Sequence, residues 1–127
     1  MRTQNLEDTM TRAKARRSQE YTVPEVTAYL IETLGPKLTA FLVGKDVQTI
    51  ARWAKGSQRP PQAEVERRLR AAFDVALLLA AEDSRHVVRA WFIGMNPQLD
   101  DLSPAEVIAQ GHLREAMAAA RAFVAGG

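Results

Sequence analysis

The chain has 127 residues, 46% of them hydrophobic, and 17 Lys and Arg against 15 Asp and Glu give it a formal net charge of +2 at pH 7. That length and apolar content suffice for one compact domain, or for two small helical units sharing a core. The absence of cysteine excludes disulfides, thiolate metal sites and cysteine nucleophiles, and the longest apolar run, VALLLAA, is far too short to span a bilayer.

Residues 1–20 carry Arg2, Arg12, Lys14, Arg16 and Arg17 against Glu7, Asp8 and Glu20, with few apolar groups. They read as a charged arm, bounded at residue 22, and more simply as a solvated extension than as a dedicated minor-groove arm. The arm has no apolar run of signal-peptide type, so the expected location is cytoplasmic. Thr22 and Glu25 form a capping-box pair with Pro24 in the first turn, opening a helix that carries Val26, Tyr29, Leu30, Ile31 and Leu34. Gly35 and Pro36 should end it.

Helices are then expected at about 37–43 and 46–55, with Gly44 between them and prolines 60 and 61 closing the segment. This is the layout of a helix-turn-helix over residues 23–61. Ala40 is small where the first helix presses on the second, Gly44 permits the positive φ of a tight turn, and Ile50 and Trp53 face back onto the first helix. Asp46 is placed to cap the second helix. The free face carries donors: Gln48, Thr49 and Arg52 are candidates for reading base edges, and Lys45, Lys55 and Arg59 for holding phosphates. Residues 44–59 hold four cations and the single acid Asp46, a local excess on a nearly balanced chain. The plainer reading is a helical hairpin whose Ala and Gly serve only packing.

Residues 62–83 read as one long connecting helix, polar and basic at first and then nearly all apolar. Leu69, Ala72, Phe73, Ala76 and Leu77 already supply an apolar stripe, so Val75, Leu78 and Leu79 also need cover. That cover should come from the C-terminal helices together with a second copy of the chain, making the connecting helix a dimerisation element. The segment 84–127 should then contain a short helix capped by Asp83 or Ser84, an Asn96-Pro97 turn, a second capping box at Ser103 and Glu106, and a last helix from about His112 to Ala125. No segment alternates as a strand does, so the expected class is all-α: a helix-turn-helix bundle joined by a long helix to a small helical C-terminal domain.

Trp91, Phe92, Asn96, Pro97, Leu99, Ser103, Pro104, Ile108 and Gly111, in that order, resemble the toxin-binding domain of the Xre/MbcA/ParS antitoxin family. The preceding helix-turn-helix and connecting helix also resemble that family, so the likeness spans residues 24–125. It implies a DNA-binding antitoxin of a type II toxin-antitoxin system that neutralises a RES-domain, NAD-consuming toxin and represses its own promoter. The implied partners are promoter DNA, the toxin and a second copy, with Arg114, Arg121, Phe123 and Val124 of the last helix as toxin-contacting residues. Trp91 reads first as core of the C-terminal unit.

No enzyme is expected. His86 and His112 stand 26 positions apart and match neither a metal site nor a nucleophile with its base, Asp100 and Asp101 read as a solvated loop, and no glycine-rich phosphate loop appears. No cofactor, metal, membrane or small-molecule substrate is therefore anticipated. The alternative function is a stand-alone helix-turn-helix regulator or nucleoid-associated protein, and a weaker one is an interaction protein that has lost DNA binding.

Overall fold

The computed structural model describes residues 18–57, 59 and 61–126. Every regular element in them is helical: α1 (Val23–Leu34), α2 (Pro36–Val43), α3 (Val47–Lys55), α4 (Ala63–Ala80), α5 (Arg85–Ile93), α6 (Pro104–Ala109) and α7 (Leu113–Val124), with 3-10 turns at Ser18–Glu20 and Pro97–Leu99. The all-α expectation holds.

Local chemistry sets most helix ends. At α1 the Thr22 hydroxyl accepts from the Glu25 N–H, and the Glu25 carboxylate accepts from the Thr22 N–H at 2.8 Å. At α6 the Ser103 and Glu106 pair repeats the arrangement, and at α5 the Ser84 hydroxyl accepts from Val87. Such caps satisfy amides that the first helical turn leaves without carbonyl partners. Gly35 ends α1 at φ 92°, its N–H still donating to the Ile31 carbonyl at 2.8 Å, and α2 begins at the next residue.

One core runs through all seven helices. Val26, Leu30 and Leu34 line it from α1, Leu42 and Val43 from α2, Ile50 and Trp53 from α3, and Val88, Phe92, Val107 and Ile108 from the C-terminal segment. Fully burying side chains of this size contributes about 1.5–3 kcal/mol each relative to exposure. The long helix α4 is the shared wall, packing against α1, α2, α5, α6 and α7.

Two expectations change here. Val75 and Leu79 are buried within the single chain, at 1% and 0% exposure, and α7 is one of the five helices that pack against α4. Ala116, Ala119 and Ala120 are the buried face of α7. Their small side chains suit a close approach of the two helices, which is the packing reason for an alanine-rich last helix. Of the large apolar side chains in the segment, only Leu77 and Leu78 stay half-buried, so an uncovered flank of α4 does not by itself call for a second copy.

The second change concerns the arm. Residues 1–17, with all five of its cations, lie outside the described residues, but its end is docked rather than solvated. The Ser18 N–H and hydroxyl both donate to the Asp74 carboxylate, at 3.1 and 3.2 Å. The Arg70 guanidinium donates to the Ser18 and Tyr21 carbonyls, and the Tyr21 ring stacks at a tilt on Phe73, 5.3 Å between centroids.

Candidate functional site

The first candidate surface is built on α3. Gly44 takes the left-handed conformation, φ 68° and ψ 34°, which a residue with a Cβ adopts at a cost. The chain thereby turns within three residues from α2 into α3. The Asp46 carboxylate accepts from the Thr49 N–H at 2.7 Å, fixing the start of α3. Ile50 and Trp53 are buried against the bundle. At about 100° per residue, Gln48, Arg52 and Lys55 then share the opposite face, and all three are exposed. Lys45 is exposed in the turn.

Two of the predicted residues sit differently. Thr49 lies on the flank of α3, half-buried, and is engaged with Asp46 through both its backbone and its side chain. Arg59 is exposed beyond the end of α3, and its position is set by an interaction that sequence reasoning missed: the Trp53 indole N–H donates to the Arg59 carbonyl at 2.9 Å. Trp53 therefore has a polar edge as well as a core ring, as buried Trp side chains usually do. Val47 was also overlooked. It is 39% exposed at the first position of α3, where an apolar side chain can meet a thymine methyl in a major groove.

Hydrogen bonds from the Thr49 backbone and then its side chain hold the Asp46 carboxyl below the usual range, with the Arg52 and Lys45 charges acting in the same direction. A lowered folded-state value means that the carboxylate stabilises the fold at pH values above its unfolded pKa, about 3.9, and that this contribution is lost as the pH falls through the lower folded value. The Thr49 amide resonance is therefore expected to shift on acidification below about pH 4, reporting release of the cap ahead of global unfolding. An amide signal that moves only with the global transition would show that the carboxylate does not hold this helix.

The second candidate surface is a groove of about 540 Å³ lined by Trp91, Met95, Asn96, Pro97, Gln98, Ala119, Ala122 and Phe123. One wall is the loop between α5 and α6, which Asn96 organises. Its N–H donates to the Leu102 carbonyl, its carbonyl accepts from Leu99 and Asp101, and its side-chain oxygen accepts from the Gln98 N–H. Asp100 and Asp101 follow with φ of 56° and 66°. Two successive left-handed residues are uncommon outside glycine, and Asp is among the side chains that tolerate them.

Trp91 is half-buried, packed against the core. It packs on Phe92 at 5.4 Å and reaches Phe123 across the groove at 6.3 Å between centroids. With Met95 80% exposed and Phe123 38% exposed, the groove has an apolar rim. Of the four residues predicted on the last helix, only Phe123 lines it. Arg114 and Arg121 are exposed seven positions apart on one face, Phe123 lies roughly 200° around the helix from Arg121, and Val124 is half-buried against the core. The four do not make one patch. Sequence reasoning missed Met95, Pro97, Gln98 and Ala122; the exposed Met beside an Asn-Pro turn was the only signal for them.

Among the described residues no helix is long and apolar enough to cross a membrane. No family model matches the chain, and no curated protein matches it either. The fold does match that of a chain in the crystal structure of the M. tuberculosis MbcT-MbcA toxin-antitoxin complex, with a TM-score of 0.71 and 24% sequence identity, over 84% of this chain and 96% of that one. At that identity the likeness is one of fold.

Proposed function

We propose that this protein is the antitoxin of a toxin-antitoxin pair, binding DNA through α3 and its toxin through the C-terminal groove. The observation that carries the reading is the fold shared over almost the whole length of a chain from a toxin-antitoxin complex. The two surfaces give it a physical basis. Gln48, Arg52 and Lys55 form a donor-rich face suited to a major groove, with Lys45 and Arg59 beside it for phosphates and Thr49 on its flank. The groove between Trp91 and Phe123 combines aromatic walls with backbone that Asn96 holds in place, so a partner pays little ordering entropy there.

By its sequence resemblance the toxin is a RES-domain enzyme that consumes NAD, and the chain has no catalytic role of its own in this reading. Binding to its own promoter makes it an autorepressor. Two copies on a palindromic or repeated site supply affinity that a single module with so few cations lacks.

Co-expression with the neighbouring reading frame tests the proposal, read as cellular NAD and colony survival. The intact chain should protect. A Met95→Asp/Phe123→Asp variant should lose protection, through a loss of about 2 kcal/mol or more in toxin affinity, and keep its DNA binding. Arg52→Ala should protect yet lose about 1–3 kcal/mol of preference for promoter over random DNA. Failure of the intact chain to protect would leave the stand-alone regulator as the reading. Deleting α7 is not a usable test of toxin contact, because α7 packs against α4 and its Ala116, Ala119 and Ala120 belong to the core.

A further inference from the structure

Arg85, His86 and Arg89 gather where α5 meets the end of α1. They line a hollow of about 380 Å³ with Ser84 and Glu32. The Arg89 guanidinium lies against Gly35, 3.9 Å from where a Cβ would stand on that residue. Lys37 follows two residues later in the first turn of α2, and Lys37, Arg85, His86 and Arg89 are all exposed. The acid in the hollow is Glu32, whose carboxylate is 3.7 Å from Arg85 with both side chains mostly in solvent, at 63% and 73% exposure. Glu82 and Asp83 precede α5 in sequence but do not line the hollow.

Part of this arrangement works against the stability of the isolated chain, although Arg85 also donates to the Glu32 carbonyl at 3.4 Å. Arg85 and Arg89 are like charges at i and i+4, which repel. Arg85 also stands in the first turn of α5, beside the positive end of the helix dipole, where anions are favoured and cations are not. A bound anion would reverse both effects. The neighbouring element indicates which anion, since in helix-turn-helix docking the helix before the recognition helix crosses the DNA backbone, and here that helix is α2, beginning beside Arg89.

We infer that Arg85 and Arg89 of α5, together with Lys37 of α2, hold a DNA backbone phosphate alongside the α3 interface, so that the C-terminal segment contributes to DNA affinity. The inference rests on the DNA-binding reading of α3. Arg89 and Trp91 occupy different flanks of the same short helix, and α5 thereby joins the phosphate contact to the wall of the apolar groove.

The test uses the full chain and two duplexes, one carrying the region upstream of its own reading frame and one of random sequence, titrated from about 50 to about 200 mM salt. Arg85→Gln/Arg89→Gln should reduce the slope of log affinity against log salt by about 0.9, the amount for one phosphate contact. The reduction should be equal on both duplexes. Arg114→Gln/Arg121→Gln, which removes the same charge from α7, should leave the slope unchanged. The α5 variant should melt no lower than the wild type, because relief of the Arg85–Arg89 repulsion offsets loss of the exposed Arg85–Glu32 pair. An unchanged slope in an α5 variant that still binds, or an effect confined to the upstream duplex, would overturn the phosphate contact while leaving the α3 reading intact. A lower melting temperature would assign the arginines to folding and overturn it as well. If the wild type binds neither duplex, the α3 reading fails and this inference fails with it.

Discussion

Trp53→Ala is expected to destabilise the protein by about 3–5 kcal/mol, the range for removing a large aromatic side chain from a packed interior. Trp53 is 4% exposed and, with Ile50, forms the buried face of α3. Its removal leaves a cavity under α3, and the Arg59 carbonyl loses its indole donor. A domain of this size has only about 5–15 kcal/mol to lose, so much of the folded population's margin would disappear. Trp91 remains as a fluorescence probe, which makes urea denaturation the natural measurement. Trp53→Phe separates the two contributions: it keeps most of the ring, gives up the hydrogen bond, and should cost about 1–2 kcal/mol. A loss below about 1 kcal/mol for the alanine variant would show that the ring is not part of the core.

Phe92→Ala should cost a similar amount, about 3–5 kcal/mol, from the other end of the molecule. Phe92 is fully buried in the core and meets the Trp91 ring nearly edge-on, with an interplanar angle of 86°. The variant should therefore fail in two ways. It should unfold at lower denaturant, and the fraction that stays folded should hold Trp91, and hence the groove wall, less firmly. The adjacent residue is the control. Ile93 is 60% exposed, and Ile93→Ala should change stability by no more than about 0.5 kcal/mol. Equal effects at the two positions would mean that α5 is not seated as described.

The features that could be read from the sequence are those decided within one turn of chain. The caps at Thr22, Asp46 and Ser103 join residues three apart, and the bend at Gly44 needs only its own backbone, so residue order alone indicated them. Most of what was missed lies beyond one turn of chain, from the six positions between Trp53 and Arg59 to contacts across the whole fold. Ser18 and Asp74 are separated by 56 positions, and no local pattern announces that the end of the arm binds there. Periodicity correctly identified Val75 and Leu79 as apolar faces needing cover, but it carries no information about whether that cover comes from α7 or from another molecule. The last helix shows a different limit. Arg121, Phe123 and Val124 are close in sequence, but successive helical positions point in different directions, and grouping them by proximity mixed a solvated face, a groove wall and a core contact.

The shared wall α4 has a further consequence. Val65 and Leu69 in its first half and Val75 and Leu79 in its second belong to one core with the helices on every side. Neither end can melt alone without exposing the side of α4 that it covers. Mass action then links the two surfaces without any change of shape. A partner that binds only the native chain adds about 2.7 kcal/mol to its unfolding free energy when present at a hundredfold excess over its Kd, and that addition protects the whole molecule. Under the proposed function, occupancy at α3 would lengthen the working life of the groove beside Trp91, and occupancy of the groove would do the same for α3.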